Sequence, residues 1–160
     1  MPTPADEAPT IETLEAQERD LILPVADLGA LHELGRRMSR AAAERALPIV
    51  IQIRSGGRLA FVAALPGSTA SNDDWAACKA RIAQRFEHSS LLVRLLHERD
   101  GVDVNAIHGL PWERYRSHGG AVPLRAAGVG MIGSVVVSGL PQLADHAFVV
   151  EQLEAFLRGG

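Results

Sequence analysis

Two β-hairpins constrain the fold of this chain more than any other feature of its sequence. The first is predicted over residues 48–67, where a β-branched run reaches a Gly56-Gly57 turn and an apolar run follows. The second is predicted between His118 and His146, where AVPLRAAG leads through a glycine-rich turn into MIGSVVVSG. Hairpin strands are antiparallel, so two hairpins exclude a parallel, doubly wound sheet. We expect an α/β (α+β) fold with helices packed on an antiparallel sheet of about five strands.

Helical periodicity predicts the segments that flank the hairpins. Asp27 is a suitable N-cap for a long helix that ends before Pro48, and a last helix is expected from about Gln142 to Arg158. Between the hairpins, Ser71 and the acidic residue three positions later resemble a capping box. The helix that follows is expected to bend at residues 89–90.

The N-terminal segment differs from the rest of the chain in charge. Residues 1–20 carry six acidic residues and one arginine, which leaves a net charge of +2 for the other 140 residues. Residues 1–9 are predicted to be disordered, 11–20 to form a short helix and 19–24 to form a short strand. We therefore expect an acidic arm over residues 1–20 and a single domain over residues 21–160.

Composition excludes several functional classes. The charge of the main domain is too small for a nucleic-acid partner, and the aromatic content of 4% offers few surfaces on which bases could stack. No apolar run approaches the ~20 residues that cross a bilayer, so no membrane partner is expected. The N-terminus lacks the features of a secretory signal, and Cys78 is the only cysteine. A cytoplasmic location is expected.

Two histidines border the second hairpin in unusual surroundings. His118 precedes Gly119-Gly120, a pair that lets a ligand approach the backbone closely. His146 follows Asp145 in the first turns of the last helix, where free N–H groups favour an anion. The alternative is that Asp145 caps the helix and His146 fills a gap in the core.

Further polar candidates lie on the helix between the hairpins and at its end. Lys79 follows Trp75 by one helical turn, so the ammonium group either packs over the indole or lies in solvent. His88, Ser89 and Ser90 either form a polar pocket wall or, for the serines, bond back to helix carbonyls.

Three stretches resemble one known family, in order and with matching spacing. They are SNDDWAACKARIAQRFEHSS, HGGAVPLR and GSVVVSGLPQLADHAFVVEQL. They are similar to the haem-degrading domain family, in particular its GlcG-like and HbpS-like branch with an Asp-His ending, over about residues 11–158. The chain departs from the family pattern at residues 76–78 and at Ala121. The positions that match the pattern are Asn72, Trp75, Lys79, Phe86, Ser89, Ser90, His118, Gly119, Gly120, Pro123, Ser138, Gly139, Asp145 and His146.

The resemblance implies a profilin-like α/β/α sandwich, a five-stranded antiparallel sheet with helices on both faces, in homo-oligomers. It also implies haem or a related tetrapyrrole as the ligand. His118 or His88 would then serve as axial ligand, and Arg54, Arg116 and Arg125 are available for the propionates. The low aromatic content argues against haem, because a haem pocket needs large apolar walls. The residues expected to bind the ligand are Arg54, Trp75, Lys79, His88, Ser89, Ser90, His118, Gly119, Gly120, Asp145 and His146.

Three functions follow as hypotheses. The favoured one is a homo-oligomeric protein that binds a small molecule, with haem as the candidate. The second is an enzyme that acts on a small anionic metabolite with His118 or His146 as general acid or base. The third is an oligomeric scaffold, in which the glycine-rich hairpin packs between subunits and the acidic arm contacts a partner. The sequence identifies no catalytic residue and no metal site.

Overall fold

A computed structural model of the chain describes residues 7–159, in which six helices and five strands form one sheet-centred fold. Disorder is predicted for residues 1–9, and residues 1–6 of that segment lie outside the described part. The helices are α1 (Ile11–Asp20), α2 (Leu28–Glu44), α3 (Ala70–Phe86), α4 (Ser90–Arg99), α5 (Val104–His108) and α6 (Gln142–Leu157). The strands are β1 (Ile22–Leu23), β2 (Val50–Ser55), β3 (Arg58–Ala64), β4 (Ala121–Ala126) and β5 (Gly130–Ser138).

The sheet has the order β1-β4-β5-β2-β3, and both predicted hairpins are present. The α/β/α sandwich with a five-stranded sheet is therefore confirmed. One detail differs from the prediction, because β1 runs parallel to β4 with Ile22 opposite Arg125. The sheet is mixed rather than purely antiparallel. No hairpin turn fixes the direction of β1, since helices precede and follow it in the chain.

The main apolar core lies between the sheet and the helices α2 and α6. Side chains alternate between the two faces of a strand, so Ile51 and Ile53 of β2 and Val135 and Val137 of β5 are buried on this side. The burial of these β-branched residues is the main stabilisation that the sheet contributes.

The opposite face of the sheet packs against α3 and is built differently. Alanines of α3, such as Ala76 and Ala80, pack on Ala121 and Val136 of the hairpin β4-β5. Small residues allow the helix to approach the sheet closely, and polar side chains of β2 and β5 occupy the same face to either side of it. This face therefore combines a thin apolar contact with buried polar groups, and the cavities described below lie beside α3.

The ends of α3 show one wrong and one confirmed prediction. The helix begins at Ala70, and the Asn72 side chain accepts a hydrogen bond from the N–H of Thr69 at 2.8 Å. The capping box predicted at Ser71 is therefore wrong by two residues. The predicted bend is present, because α3 ends before α4 begins and the Ser89 hydroxyl caps α4.

Helix α1 packs against α4 and is tied to it by polar contacts. Leu14 is fully buried beside Leu91 and Leu92. The Glu18 carboxylate accepts a hydrogen bond from the Ser89 N–H at 2.6 Å and lies 2.7 Å from His88 Nδ1. The domain boundary at residue 20 stays a prediction. Among the helices of residues 7–159, none has the length and apolar character needed to cross a membrane.

Candidate functional site

A cavity of about 200 Å³ lies where three parts of the chain meet. The N-terminal half of α3 forms one wall, the loop before β4 forms a second, and the turn from β5 into α6 forms the third. The residues that line it are Asn72, Trp75, Lys79, His118, Ser138, Gly139, Leu140, Gln142 and Asp145.

A buried ion pair lines this cavity. Lys79 Nζ lies 2.9 Å from Asp145 Oδ2, and the two side chains are 4% and 1% exposed. The ammonium group also donates to the Val137 carbonyl at 3.1 Å, and Asp145 Oδ1 accepts from the Leu140 N–H at 3.0 Å. Burial lowers the pKa of Lys79 and raises the pKa of Asp145, while their mutual attraction opposes both shifts. Each charge therefore depends on the other, because the loss of one side chain would leave the other charge buried without its partner.

The imidazole of His118 adds a neutral group to the cavity wall. Burial, together with the positive charges of Arg94, Lys79 and Arg116, lowers the pKa of His118. The ring is therefore uncharged at neutral pH. Its Nδ1 atom is buried and has no hydrogen-bond partner among the described residues. His118 can thus exchange a proton or a hydrogen bond with a bound molecule.

Two indoles lie against the His118 ring, and a guanidinium lies over both indoles. Trp75 and Trp112 meet the imidazole edge-on, with ring centroids 5.0 Å and 5.8 Å away. The Arg116 guanidinium lies over both indoles, 4.4 Å from the Trp75 centroid and 5.2 Å from that of Trp112. The cation over Trp75 is therefore Arg116, and the solvent-exposed alternative for Lys79 is wrong, because its ammonium is buried against Asp145.

The glycine pair after His118 allows the backbone to pass close to the ion pair. The Gly119 N–H donates to the Gln142 side chain at 3.0 Å. Gly120 has a φ of +135°, and a Cβ atom there would lie 2.8 Å from Lys79 Nζ and would collide with the Val137 carbonyl oxygen. Glycine is therefore required at position 120 by both backbone conformation and space.

Replacing Gly120 with alanine should destabilise the protein by about 1–3 kcal/mol, because the new methyl group meets a backbone atom at a φ that L residues avoid. Chemical denaturation measures the loss. Gly57→Ala is the control, since Gly57 has open space around its Cα and should tolerate alanine. Equal stabilities of the two variants would contradict the expectation.

The structure brings together four of the residues predicted to bind a ligand. Trp75, Lys79, His118 and Asp145 line the one cavity, and Gly119-Gly120 support it. These residues come from three separate stretches of the chain, so it is the tertiary fold that brings their side chains together.

The predicted residues at the start of α4 lie elsewhere. His88 Nδ1 lies 2.7 Å from the Glu18 carboxylate on α1. The Ser89 hydroxyl accepts from the Leu92 N–H, and the Ser90 hydroxyl accepts from the Ala121 N–H at 3.1 Å. These contacts join α4 to α1 and to the beginning of β4, and none of these residues lines the cavity of His118.

His146 and Arg54 also lie outside this cavity. His146 Nε2 lies 3.0 Å from Gln17 Oε1, on the side of α6 that faces α1. His146 therefore points away from the neighbouring Asp145, as adjacent positions on a helix do. Arg54 lines a separate cavity beside the Gly56-Gly57 turn.

Sequence reasoning missed several residues of the site, among them Trp112 and Gln142. Trp112 lies in the irregular segment before β4, where no periodicity indicates which side chains turn inward. Gln142 lines the cavity and holds Gly119, yet its position at the start of α6 resembles any polar first turn. No group of three His, Cys, Asp or Glu side chains within residues 7–159 could hold a metal ion.

Comparison with known proteins agrees with the resemblance noted in the sequence. The family model described as "Haem degrading protein HbpS-like" matches residues 27–154. A UPF0303 protein of Streptomyces avermitilis is 44% identical over 155 residues, which cover 97% of this chain and 95% of that protein. The crystal structure of the Ybr137w protein has a TM-score of 0.83 at 27% identity and covers 94% of this chain and 88% of its own.

A second solved structure extends the likeness of the fold. The PduOC:haem complex has a TM-score of 0.69 at 19% identity, covering 82% of this chain and 94% of that one. At this identity the likeness concerns the fold alone. The family match and the curated relative together establish that this chain belongs to the HbpS-like haem-degrading protein family.

Proposed function

We propose that the protein binds a small anionic molecule in the cavity lined by Lys79, His118 and Asp145. The observation that carries the proposal is the buried, unpartnered Nδ1 atom of His118 beside this cavity. Buried polar atoms in native proteins nearly always have a partner, and exceptions concentrate at functional sites. A ligand would supply the partner that the chain does not.

The charges around the cavity favour a negative ligand. Besides burial, the positive charges of Arg94, Lys79 and Arg116 lower the pKa of His118, so three cations lie near its ring. The one acidic side chain of the lining, Asp145, already pairs with Lys79. A carboxylate or similar anion would therefore enter a field that favours it.

Size argues against haem as the enclosed ligand. Pockets that enclose drug-sized ligands have volumes of roughly 300–1,000 Å³, and this cavity has about 200 Å³. The two imidazoles predicted as axial ligands, His118 and His88, do not share a cavity. The residues of one chain thus do not fit a tetrapyrrole held inside this site, although PduOC is a haem complex of the same fold.

An enzyme acting on a small anion is the second candidate. The neutral imidazole of His118 supports it, because an uncharged ring beside a bound anion can accept a proton as a general base. His146 has no part in this version, since it faces Gln17 rather than the cavity. Loss of turnover in His118→Ala with binding retained would favour the enzyme over the simple binder.

Replacing His118 with alanine should weaken the binding of a small carboxylate by about tenfold or more, because a hydrogen bond to a charged ligand is lost. Calorimetric titration with acetate and succinate measures the affinity. His32→Ala, an exposed histidine on α2, is the matched control and should bind as the wild type does. Equal affinity of both variants, or no binding by the wild type, would refute the proposed site.

Native mass spectrometry of protein purified from cells, with and without hemin, tests the haem and homo-oligomer expectations together. A retained small mass, one per subunit, would support the proposal. A retained tetrapyrrole would identify haem, rather than a small anion, as the ligand. The Soret band should then shift in the wild type and not in His118→Ala. A homo-oligomer that retains no small molecule and does not bind added hemin would favour the scaffold hypothesis.

A further inference from the structure

We propose that a second cavity, on the other side of α3, binds an anionic group through Arg54 and Arg81. This cavity has a volume of about 350 Å³ and lies between α3 and the hairpin β2-β3. Its lining includes Arg54, Gly56, Ala77, Arg81, Gln84 and Ser134.

The Arg54 side chain carries the inference. Its Nη1 atom is buried and has no hydrogen-bond partner among residues 7–159. Burial lowers the pKa of Arg54, and the nearby charge of Arg81 lowers it further. A buried N–H group of a guanidinium that has no acceptor carries a free-energy cost that an anion would remove.

Arg81 faces the same cavity and is also without an acidic partner. Its guanidinium donates to the Arg114 carbonyl at 3.2 Å and lies 3.9 Å from Cys78 Sγ, and both of these acceptors are uncharged. Within the described part of the chain, neither Arg54 nor Arg81 forms an ion pair. Two guanidinium groups that face one cavity repel each other, and an anion bound between them would offset this repulsion.

The remaining walls suit a small ligand with one anionic end. The Ser134 hydroxyl and the Gln84 amide are neutral hydrogen-bonding groups. Ala77 and the exposed side chain of Leu59 offer an apolar surface, and the Gly56-Gly57 turn carries no side chain that would close the cavity. A phosphate or a carboxylate with a short apolar group matches this lining.

This cavity is separate from the site of His118. Asn72, Trp75 and Lys79 line that site, whereas Ala77, Arg81 and Gln84 line this one. At 3.6 residues per turn, the two sets lie on opposite sides of the buried stripe of α3. Arg54 is predicted from the sequence to bind the same ligand as His118, and this prediction is wrong, because Arg54 lines a separate cavity.

Titration with inorganic phosphate and with succinate, followed by thermal unfolding, tests the inference. Phosphate or succinate should raise the unfolding temperature of the wild type, and Arg54→Gln and Arg81→Gln should weaken this binding by about tenfold or more. Arg40→Gln, an exposed arginine of α2, is the control and should respond as the wild type does. The more effective anion identifies the ligand class.

A second readout separates an anion site from a structural arginine. In buffer without either anion, Arg54→Gln should unfold at a higher temperature than the wild type, because an unpaired buried charge has been removed. Lower stability with unchanged anion response would make Arg54 structural and overturn the inference. No response of the wild type to either anion, with an altered assembly mass in Arg54→Gln, would assign the cavity to a subunit contact instead. If the Arg54 variant does not fold, the loss of anion binding in Arg81→Gln, a change on the surface of α3, still tests the inference.

Discussion

Replacing Lys79 with methionine should destabilise the protein by about 3–5 kcal/mol, which is the usual cost of leaving one member of a buried ion pair uncompensated. Asp145 would keep only backbone N–H donors such as that of Leu140. Its pKa would rise further, so the folded state would hold a proton that the unfolded state releases. The deficit should therefore shrink as the pH falls. Urea denaturation at several pH values measures both effects.

Two further variants decide whether the ion pair causes the loss. Adding Asp145→Asn to Lys79→Met removes the isolated charge, so the double variant should be more stable than Lys79→Met alone. Arg85→Met removes an exposed cation from the same helix and should change stability by no more than about 0.5 kcal/mol. If Lys79→Met costs as little as Arg85→Met, the buried pair does not stabilise the fold.

Acidification from pH 7 to pH 4 should destabilise the wild type through His146, by up to about 3 kcal/mol. Burial lowers the pKa of His146 from 6.5 to about 4. Between these two values the unfolded chain binds the proton and the folded chain does not. Stability therefore rises with pH across this window and is lost as the pH falls through it. Denaturation curves recorded from pH 4 to pH 7 measure the slope.

The variant His146→Gln isolates this effect, because glutamine does not titrate. The wild type should lose more stability than His146→Gln between pH 7 and pH 4, whatever the stability of the variant at pH 7. Asp145 contributes a slope of opposite sign, since burial raises its pKa, and it is unchanged in the comparison. Gln17→Ala removes only the hydrogen-bond partner of His146 and should keep the wild-type direction of the slope. Parallel pH profiles for the wild type and His146→Gln would contradict the expectation.

Most of the fold could be predicted because local patterns determine it. The Gly56-Gly57 turn and the Asp27 cap each depend on residues close in sequence, and the structure confirms both. The parallel pairing of β1 with β4 could not be predicted, because the two strands are far apart in sequence. In addition, a strand of only two residues has no sequence pattern that indicates whether it pairs in parallel or antiparallel. The start of α3 is predicted two residues too late, because both Thr69 and Ser71 are N-cap residues with a polar side chain three positions later.

The candidate site was less predictable because burial of a charged side chain leaves no local signal. Lys79 occupies a helix position that resembles a solvated one, and only the approach of α6 reveals its partner Asp145. Asp145 and His146 are neighbours in sequence, yet the helix directs one to Lys79 and the other to Gln17. Arg54 and His118 are predicted to bind the same ligand, yet the two side chains line different cavities on either side of α3.

The parallel pair of strands also determines when the chain can complete its fold. Residues 22–23 pair with residues 125–126, so the first strand has no place in the sheet until the last hairpin exists. During synthesis from the N-terminus, the first hairpin can form early, whereas α1 must wait for α4 and β1 must wait for β4. Closure of such long loops slows folding. Helix α1 and strand β1 are therefore synthesised well before their partners and are among the last elements to dock.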